Sequence, residues 1–434
     1  MKADKTSVTP LVYFIIASAL VAFPSAILVT DVVSGLIGLV VLVLAMYTAV
    51  TQSAQLIPLM RQEKLFYIAV SLLFLTAILT SVVQQVELSR ADRFINLILA
   101  IPVYLLFKSA RINEKYIWLG LLAGTLIAFC VGLYQVFGAS QQARATGTVH
   151  PIIFGDLSLM MGVLSLAGLD WFRRHHKVLI FIPVLAFVAG LAASVLSLSR
   201  GGWVALPFLS VVLIVYLMRY LSLKKVILVC MLAVLGVGTV YLMPQSGVQQ
   251  RVQVTVTNIN GYLSSESIKD PARATSIGAR FEMLQAAIDI FKQHPVLGSG
   301  WGEYNDMAQD LVEQGLYNET IALFSHPHNQ FLSALAKGGL FAFIALILLF
   351  FWPALIFFHY LKQPHEPEKE RAALAGMLLL VGFIGFSLSE AILERSRSVI
   401  FFSFYLAVFM SVVLREKQAT GSSITESSSS VNAV

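Results

Sequence analysis

The amino-acid sequence predicts an all-α integral membrane protein of about twelve transmembrane helices, with a large, partly helical loop between spans nine and ten. Three observations lead there. Of 434 residues, 57% are hydrophobic and 12% charged, and mean hydropathy is +0.79. No soluble domain of this size needs so much apolar surface. Apolar stretches near the ~17–25 residues that cross a hydrocarbon core recur along the chain. One polar stretch, 244–328, interrupts them.

The elements follow in order. Spans 11–29 and 32–50 come first. Lys2 and Lys5 precede them, but no clear cleavage site follows and the second span begins at once, so the first reads as a retained helix. Next come 65–83, a short 94–108, then 116–138, 152–171, 178–197, 203–219 and 225–243. Beyond the insertion lie a long 329–358, then 372–389 and 398–414. Barrel strands would be about ten residues of alternating polarity, which these are not. The chain thus divides into helices one to nine (1–243), the loop (244–328), helices ten to twelve (329–414) and a tail (415–434). The tail is Ser-rich from Ala419 and reads as disordered. Cys130 and Cys230 fall inside spans five and nine, as small packing residues rather than a disulfide or metal pair. No internal repeat of the inverted-repeat transporter kind is visible.

Basic residues set the orientation. With the N-terminus cytoplasmic, eighteen lysines and arginines lie inside, among them Arg61, Lys64, Arg173, Arg174, Lys224 and Lys225. The short outer loops hold six: Arg90, Arg93, Arg144, Arg200, Arg395 and Arg397. Both termini are therefore expected in the cytoplasm and the 244–328 loop outside. The net charge of +6 is mostly this topology signal and gives no argument for nucleic acid.

The outer face carries the chemistry. Arg200 sits in Ser197-Leu198-Ser199-Arg200-Gly201-Gly202-Trp203, a turn short enough to hold its side chain near hydrocarbon. It would serve as a snorkelling anchor beside Trp203, or bind an anion over a glycine turn and the following helix N-terminus. Arg280 borders the apolar stripe Ile277, Phe281, Leu284, Ile288 and Phe291, which marks an amphipathic helix inside the loop. Contact with lipid headgroups is its plainer use. Arg144 lies in the loop between spans five and six.

The loop ends on His326-Pro327-His328-Asn329, where the next span begins. An imidazole takes a proton near pH ~6.5, so His328 suits a general base, and Asn329 is expected to orient it. Solvation of a loop end is the bland alternative. A zinc site would need a third ligand such as Glu303 or Asp306, and the spacing fits no zinc motif. Glu390, Glu394, Arg395 and Arg397 read as partly self-neutralising pairs, as do Arg90 and Arg93 with Glu87 and Asp92. Asn318-Glu319-Thr320 matches a glycosylation sequon by chance.

Outward arginines with a histidine at an interface suit a membrane-tethered, strongly anionic substrate. Guanidinium forks bind phosphate oxygens and would stabilise charge on a departing diphosphate. No nucleotide-binding fingerprint is present, so the activated group must arrive on a lipid. This points to transfer of a glycan from a lipid-linked donor.

The Ser199-Arg200-Gly201 turn, the Arg280 helix running into His294-Pro295-Val296-Leu297-Gly298-Ser299-Gly300, and His326-Pro327-His328-Asn329-Gln330-Phe331-Leu332 resemble the O-antigen ligase/polymerase superfamily over roughly 140–414. The resemblance implies a C-type glycosyltransferase fold and transfer, without metal or other cofactor, from undecaprenyl diphosphate at the periplasmic face of the bacterial inner membrane. In the ligases of this group, O-antigen passes en bloc to the lipid A–core, with inversion at the anomeric carbon. It implies His328 as general base, Arg200 and Arg280 as catalytic and diphosphate-binding residues, and Arg144, His326 and Asn329 as substrate contacts. Expected partners are the lipid-linked donor, the lipid A–core acceptor and membrane lipids, with no nucleic acid. O-antigen polymerases and protein O-oligosaccharyltransferases share the donor. A single sizeable outer loop and a short tail favour the ligase. Pro327 departs from the group's pattern and leaves open which histidine faces the acceptor. A transporter of lipid-linked anionic cargo is the rival from another class, but it would want charges deep in the spans. A subunit that only docks partners is a weaker one.

Overall fold

A computed structural model describes residues 8–138, 141–228, 231, 248–362 and 366–416. All regular structure among these residues is helical. The first half comprises α1 (Pro10–Ala26), α2 (Asp31–Thr51), α3 (Ser53–Gln62), α4 (Lys64–Val83), α5 (Ile95–Ala110), α6 (Lys115–Phe137), α7 (Pro151–Leu166), α8 (Leu169–His175), α9 (Phe181–Leu196) and α10 (Ala205–Leu217). The loop holds α11 (Val248–Leu263), α12 (Gly278–Gln293) and α13 (Tyr304–Glu313). Then follow α14 (Gln330–Leu361), α15 (Pro367–Ser387) and α16 (Ser396–Val413).

Start signals explain several of these boundaries. Thr9 and Thr30 cap α1 and α2 through their hydroxyls, His150 precedes Pro151 at the start of α7, and Asn329 caps α14. Among the described residues eight helices are long and apolar enough to cross a membrane, or nine if the bent pair α7–α8 counts as one. α1 and the 201–217 segment are apolar but shorter. Predicted span nine, 225–243, lies largely outside the described residues, as do Cys230 and most of the tail. The chain is a multi-pass membrane protein.

Burial separates centre from rim. In α15 and α16, 83% of the apolar stretch is buried, against 22% in α2, whose apolar side chains face outward as lipid-facing ones do. Phe404 of α16 joins α1 and α5 by stacking near Phe23 (4.2 Å) and Phe107 (5.7 Å). At the start of α15 the buried Arg371 bonds Glu114 and Asp170 (2.9 Å each), tying α6 and α8 to it. The other end of α15 leads into the 388–395 turn, where the site lies.

α14 is not one rod. Its 32 residues would run ~48 Å, beyond a ~30 Å core. It breaks at Gly339 (φ 63°, ψ −161°), so the stretch 340–361 alone spans about 33 Å. The carbonyls of Ala336 and Lys337 accept from the amides of Ser299 (2.9 Å) and Gly300 (3.0 Å) instead of continuing the ladder. The glycines at 298, 300 and 302 all have positive φ, and Gly298 and Gly300 form part of this clamp. A β-carbon on Gly298 would stand 2.3 Å from the Lys337 carbonyl carbon, and one on Gly339 the same distance from Val296 O. The segment is a docked plug. Trp301 seals it, buried edge-on against Phe94 at 4.7 Å.

Candidate active site

The predicted loop helix is α12. Its Ala279, Met283, Ala286, Ala287 and Ile290 pack with Tyr304, Leu311 and Ile321 and against Ala336 of α14. Buried Glu282 knits the loop by accepting from Arg273 (2.8 Å) and the Asn318 amide (3.0 Å). The chain then passes through 324–329 into α14, carrying both histidines to the end of α15.

Glu390 is the organiser. At 1% side-chain exposure, its Oε1 accepts from His326 Nε2 (2.7 Å) and its Oε2 from His328 Nδ1 (2.8 Å). Arg395 adds Nε and Nη2 contacts to Oε1 at 3.2 and 3.1 Å. Burial alone would raise the Glu390 carboxyl, but hydrogen bonds and charge from the two imidazoles outweigh it and hold it well below the usual carboxylate range. An ionised carboxylate only accepts, so His326 Nε2 and His328 Nδ1 both carry protons. His326 is closed on both sides, its Nδ1 lying 3.2 Å from Ser325 Oγ. His328 has Nδ1 engaged by Glu390, and its Nε2 has no hydrogen-bond partner among the described residues. Its backbone sits in the left-handed region (φ 50°), a conformation costing a non-glycine residue about 1–2 kcal/mol and typical of constrained sites.

Burial lowers the proton affinity of His326 below its ordinary value despite Glu390. His150, exposed at the start of α7, is lowered by partial burial first, then by the charges of Arg395, Arg144 and His328 against Glu390. It belongs to the same cluster.

The expected site residues fall unevenly around this centre. His326 and His328 form it. Arg144 Nε donates to Ser197 O (3.0 Å), fastening the turn that bears Arg200. Arg200 is exposed there. The next two residues rest on the site: added β-carbons would stand 2.8 Å from Ser389 Oγ at Gly201 and 2.2 Å from Asp156 Oδ1 at Gly202. Asp156 is fully buried, and its carboxyl group has no hydrogen-bond partner among the described residues. Arg280 is exposed in the first turn of α12, and no contact joins it to the histidines. Asn329 corrects an expectation. Its Oδ1 accepts from Phe331 N and Leu332 N (3.0 Å each) and its Nδ2 reaches Leu388 O (3.2 Å), so it caps α14 and leaves orientation of the imidazole to Glu390.

Glu390 and Arg395 were the residues that sequence reasoning set aside as a self-neutralising pair. One signal pointed to them: an acidic residue just beyond an apolar span needs a built partner, because desolvating a charge is costly. As for metal, His326, His328 and Glu390 could converge on one ion, rather than either histidine with Glu303 or Asp306. Their 2.7 and 2.8 Å separations are hydrogen bonds, whereas two ligands ~2.1 Å from a tetrahedral zinc stand about 3.4 Å apart. Arg395 at 3.3 Å from His326 Nε2 also disfavours a dication.

Residues 185–347 match the family model described as O-antigen ligase. An uncharacterized protein of Haemophilus influenzae is 28% identical over 331 residues, covering 76% of this chain and 81% of that protein. The matched segment holds Arg200, Arg280, His326, His328 and the broken half of α14, while Arg144, Glu390 and Arg395 lie outside it. Over residues 185–347, which is less than half of its length, the chain is thus similar to the O-antigen ligase family.

Proposed function

We propose that this protein is a periplasmic-face glycosyltransferase of the inner membrane, both termini cytoplasmic, that moves O-antigen polysaccharide en bloc from undecaprenyl diphosphate to the lipid A–core. The observation that carries the reading is the Glu390–His328 dyad, with Arg395 against Glu390 and the turn that bears the exposed Arg200 packed beside Ser389. With Nδ1–H held by Glu390, His328 Nε2 offers its lone pair to an acceptor sugar hydroxyl. As that proton moves to Nε2, the acceptor oxygen bonds the anomeric carbon. The bond from that carbon to the diphosphate breaks, and the electron pair leaves with the lipid diphosphate. Arg200 and Arg280 stabilise the charge that grows there, with Arg144 in support. A single displacement of this kind inverts the anomeric carbon. No step calls on a metal ion.

The test is transfer in vitro. Purified protein is mixed with undecaprenyl-diphosphate-linked O-antigen and lipid A–core in the presence of a chelator. The expected product is a ladder of capped lipopolysaccharide that disappears with His328→Ala. Full activity of that variant would overturn the assigned base. Lengthened donor without capped acceptor would make the protein a polymerase, and transfer to a protein acceptor would make it an O-oligosaccharyltransferase. Donor moved across liposomes with no covalent product would make it a transporter.

A further inference from the structure

A second acidic residue of the 388–395 turn lies one step deeper than Glu390. Glu394 Oε2 accepts from Lys337 Nζ at 2.7 Å, with 4% and 3% of the two side chains exposed. Its Oε1 accepts from Ser333 Oγ, and Arg93 approaches at 3.4 Å. Gln330 Oε1 accepts from the Leu393 amide at 2.8 Å. Gln330, Ser333 and Lys337 recur at helical spacing, so one face of α14 grips this turn at three points.

Lys337 also stands at the last position before the Gly338–Gly339 break. Its carbonyl receives the Gly300 amide, and its ammonium lies 5.6 Å from the centre of the Tyr304 ring. One residue therefore touches the docked plug, the broken helix and the last outer turn. Taking two ions out of water into a buried pair costs more than burying a hydrophobic pair of the same shape there would. A buried pair held at this junction needs a reason beyond stability.

We propose that the Lys337–Glu394 pair is a positioning element for His328, setting the register between α14 and the 388–395 turn so that Glu390 meets the imidazole. This rests on the transferase reading for its consequence, since misplacing a base by ~1 Å costs on the order of 10²-fold in rate.

The experiment uses the full chain and compares Glu394→Gln and Lys337→Met with the double variant carrying both. Each single change leaves a buried charge or polar group unmatched and lowers Tm, whereas the double removes both charges and recovers it. Two readouts separate positioning from support. In the transfer assay the double keeps a kcat lower by about 10²-fold with donor KM unchanged. Independently of any substrate, the carbethoxylation rate of His328, followed by mass spectrometry, falls severalfold in the double, as it does in Glu390→Gln, because Glu390 no longer holds the proton on Nδ1 and the lone pair on Nε2. A double variant that recovers kcat along with Tm, or a His328 reactivity equal to wild type, overturns the proposal. If wild type transfers no glycan, the ligase reading fails while His328 reactivity still decides this one.

Discussion

Glu390→Gln is the sharpest perturbation of the site. The carboxylate accepts from both imidazoles at 2.7 and 2.8 Å, and a neutral amide of the same shape offers one acceptor and one donor. Whichever way it turns, one imidazole nitrogen faces an N–H and must give up its proton. Because His326 Nδ1 already meets Ser325, the rearrangement falls on His328. Its proton shifts to Nε2, and the lone pair that would act as base is lost. A substitution that forces the wrong tautomer on a catalytic histidine lowers kcat by about 10³–10⁴-fold, or about 4–5 kcal/mol of barrier. The cost in stability is smaller. Two charge-assisted hydrogen bonds, each ~1.5–3 kcal/mol, become one neutral bond and one rearranged bond, a net loss of about 2–4 kcal/mol. Arg395 adds little because 36% of its side chain is exposed and hydrated. Single-turnover transfer by purified Glu390→Gln gives kcat, and thermal unfolding in detergent confirms the fold. A folded variant within threefold of wild type would refute the tautomer argument.

Other outcomes follow from the same geometry. Arg200→Lys keeps the charge but loses the planar fork, and transfer efficiency is expected to fall about 10–100-fold at normal membrane insertion; unchanged kcat/KM would argue against bidentate recognition of a diphosphate. Gly298→Ala combines φ 70° with a β-carbon 2.3 Å from the Lys337 backbone, so a loss of several kcal/mol and a lowered Tm are expected. Acid should destabilise the protein. His326 has a folded pKa below its ordinary 6.5 and Glu390 one far below 4.5, so the unfolded chain takes up more protons as pH falls. Their stabilisation is full above pH 6.5, with the His326 share lost first, and Tm measured from pH 7 to 5 should drop less in His326→Gln than in wild type.

Much of the scaffold was legible because apolarity is carried residue by residue. The spans, the polar interruption and α12 follow from local composition and periodicity, and the His-Pro-His-Asn cluster announced itself at a helix boundary. What escaped was relational. Glu390 meets His326 and His328 across 64 and 62 positions, and no local pattern distinguishes it from a surface pair with Arg395. The amide of Asn329 looked suited to an imidazole, yet the adjacent amides of α14 stood closer. The break at Gly339 hid inside an uninterrupted apolar run, because hydropathy does not record φ. Gly298 and Gly300 suggest freedom in the sequence, but the Lys337–Gly338 backbone and the side chains of Val86 and Glu303 crowd them.

The interrupted helix α14 also constrains how the protein is made. The carbonyls of Ala336 and Lys337 find their donors on Ser299 and Gly300, more than thirty positions earlier in the chain. Until those amides arrive, each bare carbonyl would cost several kcal/mol in lipid. The segment can therefore enter the bilayer as an ordinary continuous helix, but it takes its kinked form only once 294–302 has folded against it. Maturation ends with a docking step. A cell that lost the plug would retain an inserted, full-length polypeptide in which the turn bearing Glu390 had never been drawn onto the histidines.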